Sequence, residues 1–306
     1  MNIFTLLHLT VLFVFPPLLL GIIGKTKAFF AGRIGPPLLQ TYFDLFKLMH
    51  KACVYSVTTN WIFRAAPMVS TAAILSAGTL MPLAGVVPPV QFGGDLILFV
   101  YLFALGRFVI ILAALDTGSS FEGMGASREA TFGCLSEVTM FLNLTILALL
   151  SRSLSLSEIF LGGLSSSWLL VGPVLILVVV SFFLVLLVEN SRIPIDDPDT
   201  HLELTMIHEV MVLDHSGVDL AYILYGKAVK LFIFASLVVS IIFTFKSQNL
   251  FINTASFIFE IIGLALLIGV VESTMARLRL NKVPYLLFCA LIFSIIGFIV
   301  ILVRGH

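Results

Sequence analysis

The sequence predicts an all-α integral membrane protein, a bundle of eight transmembrane helices with one amphipathic surface helix. Hydrophobic residues make up 59% of the 306 residues, whereas charged residues make up only 11%. A soluble domain carries about 25% charged residues, so one globular core cannot bury this much apolar surface. Several apolar runs reach the ~20 residues that a helix needs to cross a bilayer. We therefore expect lipid to solvate much of the surface.

The eight predicted spans belong to a single polytopic domain, residues 1–306. They cover about 3–24, 67–87, 95–115, 131–150, 168–188, 221–245, 254–273 and 284–303. Pro16 and Pro17 lie inside the first span and predict a kink there, because proline interrupts helical hydrogen bonding.

The orientation is predicted from the Lys and Arg residues of the loops, which favour the cytoplasmic side. The loops after spans 1, 3, 5 and 7 carry eleven of them, and the opposite side carries three. The odd-numbered loops are therefore expected to be cytoplasmic, and both termini external.

The first cytoplasmic loop, about 25–66, contains a segment of helical period at 38–51. A narrow polar stripe runs along it: Gln40, Asp44, Lys47 and Lys51. Apolar side chains fill much of the remaining surface, which is typical of an amphipathic helix lying along a membrane. The helix can serve as a surface anchor or as a docking surface for a cytoplasmic partner, and the two roles are compatible.

Residues 189–217 form the most polar stretch of the chain. Seven of the 17 acidic residues lie in it: Glu189, Asp196, Asp197, Asp199, Glu203, Glu209 and Asp214. Asp197 is a suitable N-cap and Pro198 a suitable first helical residue, so we predict a helix over 198–214 that stops near Gly217.

Several charged residues are predicted within or at the ends of spans: Arg107, Glu137, Glu189, Glu260 and Glu272. An ionised group in hydrocarbon is costly unless it is paired or hydrated. Arg107 and Glu137 could form a purely structural ion pair. The acids as a set favour a hydrated proton path that continues into the acidic stretch. Glu260 alone is instead expected to be a helix-interface residue or a residue at the membrane interface.

Other site chemistries fit less well. His201, Glu203, His208 and Glu209 have the side chains of metal ligands, but their spacing matches no zinc motif. The Gly- and Ser-rich segment 116–129, predicted to be a loop, lacks the phosphate-binding pattern of nucleotide sites. The three cysteines form no C-x-x-C pair. The zero net charge gives no reason to expect a nucleic-acid partner.

The chain resembles the subunit 1 family of respiratory complex I, which is shared with energy-converting membrane-bound [NiFe]-hydrogenases. Three groups of motif residues carry the resemblance. They are Arg33, Gly35, Pro36, Gln40, Asp44 and Lys47 after span 1; Arg128 with Ser136 and Glu137; and Glu189, Arg192, Pro194 and Asp196, followed by Ser216 and Gly217.

Departures from the complex I pattern indicate the hydrogenase branch, near ferredoxin-linked and formate-linked enzymes. Pro37 runs straight into Leu38, where the complex I form continues with a longer glycine motif. The acidic stretch is also longer than its complex I equivalent. The resemblance to this branch implies that a quinone is not expected.

The resemblance implies a non-catalytic membrane subunit that binds no cofactor itself, in a bacterial or archaeal cell (inner) membrane. An Fe–S small subunit and a NiFe large subunit, with the 4Fe–4S clusters and the NiFe centre, would dock on the cytoplasmic face. Antiporter-like membrane subunits would adjoin it in the bilayer. The docking residues would be Arg33, Gln40, Asp44, Lys47, Asp116 and Glu122.

Protons would follow a path of carboxylates: Glu137, Glu189, Asp196, Asp199, Glu203, Glu209 and Asp214. Arg107, Arg128 and Arg192 would hold carboxylates ionised or fix the loop geometry. Two alternatives stay open: the quinone-site subunit of a complex I-like NADH or ferredoxin:quinone oxidoreductase, and a stand-alone ion transporter. The absence of an inverted repeat disfavours the transporter.

Overall fold

The computed structural model describes residues 3–162, 164–196, 206–243 and 249–304. Within these ranges the chain forms α-helices joined by loops and two short 3-10 turns, and no β-strand. The helices are α1 (Ile3–Val14), α2 (Pro16–Phe30), α3 (Gln40–Met49), α4 (Trp61–Leu80), α5 (Asp95–Asp116), α6 (Ser120–Ser151), α7 (Leu156–Gly162), α8 (Leu164–Glu189), α9 (Gly217–Ile242), α10 (Leu250–Thr274) and α11 (Val283–Arg304).

The helices confirm the all-α membrane bundle. Among the described residues, six helices are long and apolar enough to cross a membrane: α5, α6, α8, α9, α10 and α11. The pair α1–α2 adds a seventh, bent by 43°. The bend falls at Pro16 and Pro17, as predicted. With α4, which is 20 residues long, these helices are consistent with the eight predicted spans.

Helix α9 lies at the centre of the bundle. It packs against α4, α2, α3, α8 and α10, and most of its residues are buried. Helices α8 and α6 pack against α11, and α10 packs against α2. Because α9 contacts so many neighbours, its polar side chains can reach groups from several helices.

The surface helix predicted at 38–51 is confirmed as α3. None of its residues is buried, and it packs beside α2 and α9. The close approach depends on glycine. A Cβ at Gly21 would overlap the Leu38 carbonyl, and a Cβ at Gly35 would overlap Ala28.

Several predicted element boundaries differ from the structure, among them those of α4 and α6. Helix α4 spans Trp61–Leu80 instead of 67–87, because Met81 precedes Pro82 and takes the extended backbone that such a residue favours. Helix α6 begins at Ser120, so most of the predicted loop 116–129 is helical. Gly125 there permits close contact with Val210, which no local pattern reveals.

The predicted helix 198–214 is wrong in the part that the structure describes. Its first residues, with Asp197, lie outside the described ranges. Of 206–214, only Glu209–Val212 forms a 3-10 turn. Gly217 does not end a helix but begins α9, with a φ of 55° and with the Ala52 carbonyl packed against it.

Candidate functional site: a charge network beside a cavity

Arg107 on α5, with its side chain buried, is the hub of a cluster of charges. Its Nη1 lies 2.6 Å from Oε1 of Glu137, and its Nη2 lies 2.5 Å from Oε1 of Glu189. Its Nε lies 3.5 Å from Oε1 of Glu129. A Cβ at Gly133 would overlap the guanidinium, so this glycine provides its space. The three carboxylates supply the partners without which a buried cation would be strongly destabilising.

Glu189, at the end of α8, is the most enclosed carboxylate of the cluster, with a side chain only 2% exposed. Its Oε1 accepts hydrogen bonds from Arg107 and from the Ser136 hydroxyl. Its Oε2 lies 2.7 Å from Nζ of Lys230 on α9. Glu189 therefore joins α5, α6 and α9 through one carboxylate.

A second ion pair involves Lys227, which lies one helical turn before Lys230 on α9. Nζ of Lys227 is 2.5 Å from Oε1 of Glu209, the first residue of the 3-10 turn. This pair connects the acidic segment, which precedes α9, with the helix at the centre of the bundle.

A third cluster surrounds Glu272 near the end of α10. Nη1 of Arg192 lies 3.3 Å from its Oε1, and Nζ of Lys27 lies 3.4 Å from its Oε2. The Glu272 side chain is fully buried. Together the three clusters, called the charge network below, contain five cations and five carboxylates, which are equal numbers of opposite formal charges.

A cavity of about 480 Å³ lies beside this network, between α2, α3, α4, α5 and α9. Its polar lining includes Lys27, Arg107, Glu129, Glu189, Arg192, His208, Glu209, Lys227 and Lys230. Its apolar lining includes Leu20, Ile23, Ile74, Phe103, Ile110, Ile223 and Leu224. At about 30 Å³ per molecule, the volume corresponds to roughly sixteen waters. The cavity is thus large enough to hydrate the charged groups.

The acidic segment is held in place by contacts to its backbone. Oδ2 of Asp196 accepts the N–H of Ile207 at 2.9 Å, while Oδ1 lies 2.7 Å from Nη2 of Arg277. Nη1 of Arg128 donates to the Met206 carbonyl at 2.8 Å. These contacts fix the start of the described segment 206–214 beside the cavity.

Two histidines belong to this region: half-buried His208 lies within the segment, and buried His215 directly follows it. Burial lowers the pKa of His208 well below its ordinary value, and the positive charges of Lys227, Lys230 and Arg107 lower it further. Burial lowers the pKa of His215 to about 4. The His215 ring stacks on Phe63 with centroids 3.9 Å apart. Both imidazoles are therefore neutral near pH 7.

Comparison with known proteins identifies the fold and the family. The sequence profile of a family described as NADH dehydrogenase matches residues 2–303, nearly the whole chain. The chain belongs to this family. The resemblance to complex I subunit 1 is thereby confirmed.

Proteins similar to this chain include two from Escherichia coli (strain K12). Formate hydrogenlyase subunit 4 is 30% identical over 98% of each chain. Hydrogenase-4 component C is 33% identical over 90% of this chain and 88% of its own. An NADH-quinone oxidoreductase subunit of Bordetella petrii is 28% identical over 72% of this chain and 62% of its own.

A solved structure shares the fold over 97% of this chain and 98% of its own, with a TM-score of 0.81 and 21% identity. It is a chain of the membrane-bound sulfane sulfur reductase, an archaeal respiratory membrane complex. The apolar helices and these membrane-complex relatives confirm a multi-pass protein of a prokaryotic membrane.

In the structure, the residues of the predicted proton path fall into three groups. Glu137, Glu189 and Glu209 lie in the charge network. Asp196 accepts a hydrogen bond from the backbone N–H of Ile207, and Asp214 is exposed at the end of the segment. Asp199 and Glu203 lie outside the described residues, as does His201. Of the predicted charge partners, Arg107 contacts carboxylates of the path, whereas Arg192 contacts Glu272 and Arg128 binds a carbonyl.

The predicted docking residues differ in exposure. Arg33, Asp44 and Lys47 are exposed, and Gln40 donates its Nε2 hydrogen to Asp44. The other two bind backbone within the chain. The Asp116 carboxylate accepts the Asn60 N–H at the start of α4, and buried Glu122 accepts the Asp214 N–H.

Sequence reasoning missed Glu129, Lys27, Lys227 and Lys230 as members of the network. Lys227 and Lys230 carried a usable signal, since two cations three residues apart in an apolar span must share a polar environment. Glu129 directly follows Arg128 in the segment taken as a loop. Because this segment was predicted to be a loop, nothing in the sequence indicated that Glu129 faces Arg107.

Proposed function

We propose that this chain is the membrane anchor subunit of a respiratory-type hydrogenase complex and that its charge network conducts protons. The hydrogenase and formate hydrogenlyase relatives support the anchor role. The observation that carries the proton path is the series of contacts beside the cavity. Glu209 pairs with Lys227, and Lys230 pairs with Glu189. Arg107 holds Glu189 and Glu137 on its two terminal nitrogens, so the two carboxylates lie beside each other.

The oxidoreductase chemistry then belongs to partner subunits. An Fe–S small subunit and a NiFe large subunit dock on the cytoplasmic face and hold the 4Fe–4S clusters and the NiFe centre. The exposed polar stripe of α3 offers them Asp44 and Lys47, beside Arg33. Antiporter-like membrane subunits receive the protons laterally.

The segment 206–214 is the element through which redox turnover acts on the path. It carries Glu209, whose carboxylate pairs with Lys227 on α9. A change of charge or position in the docked subunits displaces or recharges this segment. Because Lys227 and Lys230 share a face of α9, the effect reaches Glu189 directly.

The test is Glu137→Gln and Glu189→Gln in the assembled complex. Glutamine keeps the shape of the side chain but cannot carry a proton. Proton translocation into inverted vesicles should fall at least about tenfold, as expected when a positioned acid–base group is lost. Hydrogen formation in the presence of an uncoupler should persist.

Glu158→Gln is the matched control, because Glu158 is exposed on α7, away from the network. Its proton translocation should equal that of the wild type. Wild-type translocation in both Glu137→Gln and Glu189→Gln would rule out the path.

The second candidate is the quinone-site subunit of a complex I-like oxidoreductase. The observation in its favour is the cavity itself, about 480 Å³ with an extensive apolar lining. Two measurements on the purified complex separate the candidates: extraction of bound quinone, and metal analysis. Nickel together with iron supports the hydrogenase complex, whereas bound quinone without nickel supports the alternative.

A further inference from the structure

In the part of the chain that the structure describes, no other carboxylate of the proposed path links Glu209 with Glu189. Among the described contacts, each of the two carboxylates meets α9 through its own lysine. Oε1 of Glu209 lies 2.5 Å from Nζ of Lys227, and Oε2 of Glu189 lies 2.7 Å from Nζ of Lys230. The two lysines therefore occupy the gap in the path.

Helix geometry brings these two ammonium groups together. Side chains three residues apart lie on the same helix face, about 5–6 Å apart at their Cβ atoms. Both lysines line the cavity, together with His208. Water in this cavity can connect groups that do not touch.

The cations of the network differ in chemistry. Arg107 keeps its proton under all conditions that proteins meet, so it can fix carboxylates but cannot carry a proton. A lysine in a buried setting can release and regain one. The side chains of Lys227 and Lys230 are 25% and 14% exposed, respectively.

We propose that Lys227 and Lys230 are proton-carrying residues that join the acidic segment to Glu189. This inference rests on the proposed proton path and names the groups that join Glu209 to Glu189 within it. Arg107 acts as the fixed positive charge that positions the carboxylates on either side.

The proposed proton transfer needs no electron carrier, because every proton that one group releases is bound by the next. The Lys230 ammonium gives a proton to the Glu189 carboxylate, so that an N–H bond breaks and an O–H bond forms. The neutral amine regains a proton through cavity water from the Lys227 ammonium. Lys227 regains its own from the carboxyl group of Glu209, which is protonated from the cytoplasmic side.

Substitution by arginine separates proton carriage from charge. Lys230→Arg and Lys227→Arg keep a cation beside each carboxylate but remove the ability to deprotonate. In the full complex, both variants should form hydrogen at the wild-type rate with an uncoupler present. Protons translocated per hydrogen formed should fall at least about tenfold.

Lys282→Arg is the matched control, since Lys282 is exposed directly before α11. It should keep the wild-type proton ratio. If Lys230→Arg does not assemble, Lys227→Arg decides, because its partly exposed side chain borders the cavity and leaves room for a guanidinium.

The outcomes distinguish this inference from the proposed function. A wild-type proton ratio in Lys230→Arg and Lys227→Arg, with translocation lost in Glu189→Gln, overturns the lysine role alone. A wild-type ratio in Glu189→Gln and Glu137→Gln overturns the proton path itself. Loss in the arginine variants with normal uncoupled hydrogen formation supports the lysines as carriers, because a role in charge alone would survive the substitution.

Discussion

Single residues decide how this apolar bundle accommodates charge. Arg107 is buried among helices, yet three carboxylates surround it. Gly133 makes the arrangement possible because any side chain there would occupy the volume of the guanidinium. Burying a charge is tolerable only when opposite charges lie close to it. The loss of one partner therefore affects the whole cluster.

His215 shows how a buried neutral group makes stability depend on pH. Its pKa is lowered from the ordinary 6.5 to about 4. The unfolded chain binds a proton below about pH 6.5 that the folded chain rejects, so stability is complete above that pH and is lost as the pH falls towards 4. Each unit of pKa shift corresponds to about 1.4 kcal/mol.

We expect His215→Phe to reduce this acid sensitivity. Between about pH 7.5 and about pH 4.5, the wild type should lose about 2–3 kcal/mol more unfolding free energy than the variant. Phenylalanine preserves the stacking on Phe63. Thermal unfolding of the detergent-purified protein at the two pH values measures the difference.

His50→Phe is the control for this experiment, because His50 is exposed on the surface next to α3. It should show the acid sensitivity of the wild type. Equal acid sensitivity of His215→Phe and the wild type would refute the assignment to His215.

At the scale of elements, the bend between α1 and α2 leaves the Phe13 and Val14 carbonyls without helical partners. Pro17 has no N–H to offer the Phe13 carbonyl. The Leu18 N–H donates to Phe15 rather than to Val14. Tyr225 on α9 donates its hydroxyl hydrogen to the Phe13 carbonyl at 3.0 Å, and Tyr42 on α3 donates to the Val14 carbonyl. The two tyrosines thus tie α3 and α9 to the bend.

Removal of these hydroxyls should destabilise the bundle. Tyr225→Phe and Tyr42→Phe are each expected to lower the unfolding free energy by about 1 kcal/mol, as for a typical hydrogen bond. The measurement is the thermal unfolding midpoint in detergent.

The control is Tyr101→Phe on α5, whose side chain is 67% exposed. It should leave the midpoint unchanged. If all three variants unfold at the same temperature as the wild type, the tyrosine contacts make no net contribution.

A second link between elements lies on the other side of the bundle. The Asn143 side chain donates to Ser181 and accepts from Ser294, each at 2.8 Å. All three side chains are fully buried and belong to α6, α8 and α11. Within apolar surroundings, such hydrogen bonds hold polar groups that hydrocarbon would not solvate.

At the scale of the whole molecule, the orientation in the membrane is a prediction from the loop charges. It can be tested with single cysteines after Cys53, Cys134 and Cys289 are replaced by serine. Val57→Cys marks the first loop, and Arg152→Cys marks the loop between α6 and α7; both positions are exposed.

A membrane-impermeant maleimide should label Arg152→Cys in intact cells and Val57→Cys in inverted vesicles. The positions serve as controls for each other, because only the side of access differs. The reverse pattern would invert the predicted topology and place the acidic segment outside.

The sequence by itself determined the membrane class, the kink at Pro16 and Pro17, the surface helix and the family. These follow from composition, apolar run length, period and motif, all of which are local along the chain. It also indicated that Arg107 and Glu137 needed polar partners, because hydrocarbon excludes unpaired charge.

Only the tertiary structure decided which charges meet. Glu129 reaches Arg107 once α6 starts at Ser120, and Lys230 reaches Glu189 because α9 crosses the end of α8. Gly217 begins a helix because its backbone packs against Ala52, far away in the sequence. Such contacts join residues tens of positions apart, and the free energy that selects them arises from packing between helices rather than from any local propensity.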